Sequence, residues 1–138
     1  MKFDEMQTRV RYAETDQMGV VHHANYALYL EMGRTEWLRN KGVSYREMEE
    51  KGVMLPVVSM NLKYKRSAQY DELLTVRTKL AKLPTASIEF YYEIVNKSGQ
   101  ILCTANTVLA FVDMKTNKLM RAPKFLMDLI EAEKITES

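Results

Sequence analysis

From Val58 onward the chain alternates strictly between apolar and polar positions. Val58, Met60, Leu62 and Tyr64 alternate with Ser59, Asn61, Lys63 and Lys65. Leu74, Val76, Thr78 and Leu80 alternate with Thr75, Arg77 and Lys79. Ile88, Phe90, Tyr92 and Ile94 alternate with Glu89, Tyr91 and Glu93. A period of two sends successive side chains to opposite faces, so each run predicts a strand with one buried face. Asn96–Gly99 predicts a turn into a last long strand, Gln100–Val112, and Asp113–Lys118 a further turn. Near the start, Phe3–Tyr12 predicts a first strand that ends in the polar segment Glu14–Gly19.

Between these strands the period changes. Tyr26, Tyr29, Leu30, Gly33 and Trp37 recur at i, i+3, i+4, i+7 and i+11, one face of a 3.6-residue helix, and predict a helix over Ala24–Asn40. Glu31, Arg34 and Arg39 fall off that stripe, and Gly42 is a suitable stop. Ser44 with Glu47 three residues on resembles a capping box for a short helix that Gly52 ends. Pro123 opens a final short amphipathic helix carrying Phe125, Leu126, Leu129 and Ile130. Strands joined in sequence by short connections form an antiparallel sheet, and each strand has a face that needs a cover. The one long apolar helix supplies it. The predicted class is α+β: a curved antiparallel sheet of about five strands around one long central helix.

Length and charge narrow the function. A chain of 138 residues makes one domain, residues 1–138, with a core large enough to need no disulfide or metal. Twenty Lys+Arg against eighteen Asp+Glu leave +2, too balanced for a protein built to hold nucleic-acid backbone. The single Cys103 makes no internal disulfide and is read as a buried small hydrophobe. With a polar start and no apolar run near the roughly 18 residues of a membrane span, the expectation is a cytoplasmic protein. His22 and His23 are adjacent and point apart, so with one distant cysteine they predict no metal site. There is no GxGxxG, P-loop or GxSxG motif.

The chemistry concentrates in Tyr12–Tyr26, YAETDQMGVVHHANY. Asp16 precedes a turn at Gly19, and His22, His23 and Asn25 sit at the start of the long helix. A helix N-terminus offers unpaired backbone N–H groups and partial positive charge, which polarise a carbonyl oxygen placed there. A carboxylate nearby can attack that carbonyl or activate water. The same residues also have quiet readings. Asp16 serves equally as a turn or capping carboxylate, His23 as a structural hydrogen-bonding histidine, and Asn25 as a cap.

The segment resembles the signature of the hotdog-fold thioesterases of the 4-hydroxybenzoyl-CoA thioesterase and YbgC-like type. Their pattern runs Tyr, any, Asp/Glu, Thr/Cys, Asp, two residues, Gly-Val-Val, an aromatic, His, any, Asn, Tyr. This chain supplies Tyr12, Glu14, Thr15, Asp16, Gly19, Val20, Val21, His23, Asn25 and Tyr26 in one gapless run, and Arg34–Leu38 fits the later half of the family's helix. The resemblance implies the hotdog fold, a homodimer or homotetramer with sites between subunits, and hydrolysis of an acyl-CoA thioester without metal or cofactor. Asp16 matches the catalytic carboxylate, nucleophile or general base. The His23 backbone N–H matches the carbonyl-polarising group, and its side chain the histidine of the YbgC-like branch. Tyr12, Gly19, Val20, His22, Asn25, Tyr26 and Met60 are the expected substrate contacts.

Two positions depart from the family pattern: His22 stands where an aromatic is usual, and Ser67 where many relatives have proline. Lys63, Lys65 and Arg66 lie in a segment that approaches CoA in the family. They read either as partners for its phosphates or as a solvated edge. Two rival functions are a hotdog hydratase or dehydratase and a non-catalytic acyl-CoA or acyl-carrier-protein binding module. The first uses a histidine beside a Pro-Gly, which His23 lacks, and the second has no need of Asp16.

Overall fold

The computed structural model describes residues 2–137, with side chains through residue 133. The chain runs through β1 (Asp4–Arg9), α1 (Tyr26–Asn40), α2 (Tyr45–Glu50), β2 (Val53–Met54), β3 (Val57–Tyr64), β4 (Leu73–Leu80), β5 (Ser87–Val95), β6 (Ile101–Ala110), β7 (Val112–Asp113), β8 (Lys118–Leu119) and α3 (Lys124–Glu137). Two single 3-10 turns, Tyr12–Glu14 and His23–Asn25, lie between β1 and α1.

The main sheet has the order β1-β4-β5-β6-β3, and every neighbouring pair is antiparallel. β4 and β5 keep their predicted alternation, with Leu74, Val76, Thr78, Leu80, Ile88, Phe90, Tyr92 and Ile94 buried. They face α1, whose Tyr29, Leu30, Trp37 and Leu38 complete the core. Helix and sheet come into close contact at Gly33. A Cβ there would stand 2.5 Å from Thr78 Oγ1 and 2.8 Å from Val76 Cγ1. Glycine is what lets a thick aromatic helix seat on these strands. The far end of α1 is tied down by Lys41, whose Nζ meets Asp4 of β1 at 3.3 Å and Glu133 of α3 at 2.6 Å.

The central helix and the five-stranded sheet match the predicted architecture. Four local expectations are corrected. β1 ends at Arg9 instead of Tyr12, because Tyr12–Glu14 coils into a 3-10 turn. The α-helix starts at Tyr26 instead of Ala24, behind the second 3-10 turn. The last helix is 14 residues long rather than short. Three two-residue strands form a second small sheet, β2-β7-β8, too short for alternation to signal.

Two burial expectations also change. Arg34, off the apolar stripe, is only 6% exposed. Its guanidinium reaches the hydroxyls of Tyr45 and Tyr92, while Nε and Nη1 have no partner among the described residues. β3, predicted to bury one face, buries neither. It is the outermost strand, beyond β6, and α1 packs chiefly against β1, β4 and β5 on the other side. Its register puts Met60, Leu62 and Tyr64 opposite Thr107, Ala105 and Cys103, on the core side of the sheet. Yet Met60 is 38% exposed and Tyr64 52%. A bulge between Val57 and Ser59 leaves Val58 out of register and exposed.

Candidate active site

The segment from Thr15 to Val21 closes on itself as a small hairpin. Thr15 bridges Val21, and Val20 bridges Gln69 beyond β3. Asp16 N–H donates to Val20 O at 2.9 Å, and Gly19 N–H to Asp16 O at 3.1 Å. Gly19 makes this turn at φ +77°, a conformation glycine adopts without strain. The Asp16 carboxylate accepts through Oδ1 from Met18 N–H at 2.8 Å and from Val20 N–H at 3.4 Å. That is the turn role anticipated for it. It also fixes the side chain so that Oδ2 has no partner among the described residues. One oxygen thus holds the turn, and the other is exposed.

His22 caps the following 3-10 turn, its Nδ1 accepting from Ala24 N–H at 3.1 Å. The two imidazoles, expected to point apart, instead stack at 4.3 Å because the chain coils into the 3-10 turn at His23, and both are exposed. His22 N–H donates to Glu14 O at 2.9 Å. The next N–H, that of His23, has no partner among the described residues. It stands where the chain turns into α1, as an oxyanion donor must. Asn25 makes no cap. Its Nδ2 donates to Glu14 O at 2.8 Å and ties the helix start to the Asp16 segment.

A groove of about 280 Å³ runs along this helix start, lined by Val21, His23, Tyr26, Tyr64, Lys65, Arg66 and Ser67. Tyr26 is buried. Its hydroxyl accepts from Ala68 N–H at 3.2 Å, its ring meets Tyr64 edge-on at 5.1 Å, and burial pushes its pKa up. Tyr64 closes the opposite wall and donates from its hydroxyl to His23 O at 3.4 Å. Lys65 and Arg66 form the rim, and neither makes an ion pair among the described residues.

The other expected contacts lie elsewhere in this chain. Lys63 points to the outer side of the sheet, into a separate hollow with Asn61, Tyr91, Thr104 and Asn106, because its register opposite Thr104 sends it away from α1. Lys65 reaches both hollows. Tyr12 is exposed against Tyr70, edge-on at 5.7 Å, and Met60 lies along β3; neither lines the groove. Asp16, Gly19 and Val20 belong to the hairpin, and His22 and Asn25 to the helix start; none of the five lines the groove. Among the described residues no three His, Cys, Asp or Glu side chains converge as metal ligands would.

The sequence brings Tyr64, Ser67 and Glu14 into view but gives none of them a place at the site. Tyr64 read as a core position because its strand alternates. Glu14 was legible in retrospect, since Tyr29 puts a hydroxyl into the apolar stripe of α1 and a buried hydroxyl needs a partner. That partner is Glu14 Oε1 at 2.9 Å.

The sequence model of the Thioesterase-like superfamily matches residues 10–130. A putative acyl-CoA thioesterase, YneP, of Bacillus subtilis is 37% identical over 128 residues, covering 93% of each chain. The acyl-CoA thioester hydrolase YbgC of Escherichia coli is 32% identical over 119 residues, covering 86% of this chain and 89% of that protein. The crystal structure of a DHNA-CoA thioesterase from Staphylococcus aureus superposes with a TM-score of 0.89 at 34% identity, over 99% of this chain and 92% of that one.

Proposed function

The chain belongs to the Thioesterase-like superfamily, and from that membership we propose that it hydrolyses acyl-CoA thioesters to free acid and CoA. The observation that carries the reading is that one short stretch, residues 16–23, holds both a carboxylate with one free oxygen, that of Asp16, and an unpaired N–H, that of His23, at the start of α1. The thioester carbonyl oxygen accepts from His23 N–H, and the helix terminus favours the negative charge that develops on it. Asp16 Oδ2 then attacks the carbonyl carbon, the C–S bond breaks to release the CoA thiolate, and water cleaves the resulting anhydride to the free acid; or Asp16 Oδ2 takes a proton from a water that attacks the carbon, and the proton passes to the CoA sulfur as the C–S bond breaks. Tyr26 and Tyr64 wall the groove beside this point, and Lys65 and Arg66 supply cations for the phosphates of the carrier. Lys63, on the outer side, meets the carrier only if it crosses the sheet edge. Similarity to YneP, YbgC and the DHNA-CoA thioesterase supports the substrate class.

The working unit is a homodimer joined along β3, with acyl-CoA as substrate and acyl-carrier protein as an alternative carrier. Support comes from the bare apolar edge: Val57, Val58, Met60 and Tyr64 are exposed on an eight-residue outer strand, the arrangement that invites pairing with another strand. No helix among the described residues is long and apolar enough to cross a membrane, and the protein acts in the cytoplasm.

The test is hydrolysis of acetyl-, butyryl-, palmitoyl-, benzoyl- and 4-hydroxybenzoyl-CoA with free-thiol detection, wild type beside Asp16→Asn. Wild type turns over at least one of them, and the variant loses about a hundredfold or more in kcat, the scale of a lost base or nucleophile. Tight binding without turnover by wild type means a binding module instead. Full activity in Asp16→Asn removes the carboxylate from the mechanism.

A further inference from the structure

Glu14 stands outside the chemistry just described, yet more of the site hangs from it than from any other residue of the segment. Its carboxylate is buried under the loop, 6% exposed, and fully engaged. Oε1 accepts from Arg11 N–H and from the Tyr29 hydroxyl, both at 2.9 Å, and Oε2 accepts from Arg11 Nε at 3.1 Å. Arg11 leads out of β1, and Tyr29 is fully buried in the first turn of α1. The side chain therefore bolts the loop to the helix core. Its main-chain carbonyl takes two more donors, His22 N–H at 2.9 Å and Asn25 Nδ2 at 2.8 Å. Two residues after Glu14 comes Asp16. One residue after His22 comes the free N–H of His23.

We propose that Glu14 is a positioning residue for thioester hydrolysis: through Tyr29 and Arg11 below, and His22 and Asn25 above, it sets where the Asp16 carboxylate stands relative to the His23 N–H. This rests on the hydrolase reading. The two groups belong to separate stretches of chain, the hairpin and the helix start; Glu14 adjoins the first along the chain and hydrogen-bonds to the second and to the core. A misplacement of about 1 Å between reacting groups can cost about a hundredfold in rate. Substrate binding depends on the groove wall and its cationic rim, which Glu14 does not touch. The loss therefore falls on kcat and leaves KM in place.

The experiment compares wild type, Glu14→Ala, Glu14→Gln, Tyr29→Phe and the Glu14→Ala/Tyr29→Phe pair on the best acyl-CoA of the panel, with the folded fraction read by circular dichroism at the assay temperature. Glu14→Ala is expected to lose about a hundredfold in kcat with KM within about threefold. Glu14→Gln keeps the shape and one acceptor oxygen, enough for Arg11 N–H and the Tyr29 hydroxyl but not for Arg11 Nε, and is expected to recover to within about tenfold of wild type, and Tyr29→Phe to fall about tenfold. The double variant is expected to be no slower than Glu14→Ala alone, since both changes break one linkage. A kcat within about threefold of wild type in folded Glu14→Ala overturns the assignment, as does a loss that only tracks the unfolded fraction. If Glu14→Ala does not fold, the decision passes to Tyr29→Phe, and a kcat within about twofold of wild type overturns it. Wild type inactive on every thioester sinks the hydrolase reading and this role with it. An active wild type with indifferent variants sinks this role alone.

Discussion

Burial by itself raises the pKa of the Glu14 carboxyl, but the Arg11 N–H, the Tyr29 hydroxyl and the Arg11 guanidinium outweigh it, so the group lies below its ordinary value of 4.5. A carboxyl with a depressed folded pKa contributes stability that is present above the unfolded value and is lost as pH falls through the folded one. Wild type is therefore expected to be more stable than Glu14→Gln at neutral pH, with the gap closing as pH drops from about 5 toward 3. Urea midpoints of the two proteins at matched pH check this, and a gap constant across the range would count against the linkage. Cys103 shows the opposite balance: burial pushes its thiol up to about 11, which suits the small hydrophobe read from the sequence and not a nucleophile. At this scale residue types were legible, because Asp16, His23 and Asn25 announce their chemistry. Their partners were not. Asn25 bonds to the carbonyl of Glu14, eleven residues back, and no spacing rule predicts that.

Among the elements, α1 decides the most. Its stripe was readable because tyrosines, leucine and tryptophan repeat at helical spacing, and Gly33 belonged to the stripe without an evident purpose. The packing supplies one, since the sheet approaches too closely for a side chain. Gly33→Ala sets a gain of about 1 kcal/mol in helix propensity against overpacking that costs about 1–3 kcal/mol. The Cβ would meet Thr78 Oγ1 and Val76 Cγ1 well inside contact distance, so the variant is expected to lose stability. Thermal unfolding measures it, and the loss should shrink in a Thr78→Ala background. A midpoint at or above that of wild type would show that the strands yield. Arg34 marks the limit of periodicity. It lies off the stripe by angle, and only the placing of Tyr45 and Tyr92 around it buries a guanidinium there.

For the molecule as a whole, the question is what covers β3. Its alternation is as regular as that of β4 and β5, so pattern alone assigned it the same buried face. The sheet order instead sends it to the edge, past the reach of α1. Its residues are those of a covered strand, and that is the ground for proposing a second copy along this edge. The protein is expected to run as a dimer or larger in light scattering, and Met60→Lys to shift it toward monomer with loss of activity. A wild-type monomer at micromolar concentration with full turnover would remove the shared-edge arrangement.

The sequence by itself determined the class of fold, the central helix, the five strands of the main sheet and the segment proposed to hold the chemistry. Each of these follows from local periodicity or from residues close together in the chain. Tertiary structure decided which strand lies at the edge, which cations share the groove with His23, and how Glu14 joins the Asp16 hairpin to the helix start. Those depend on sheet order and on hydrogen bonds between distant stretches of chain. An alternating pattern specifies that a face wants burial, and only the packed sheet specifies what is left to bury it.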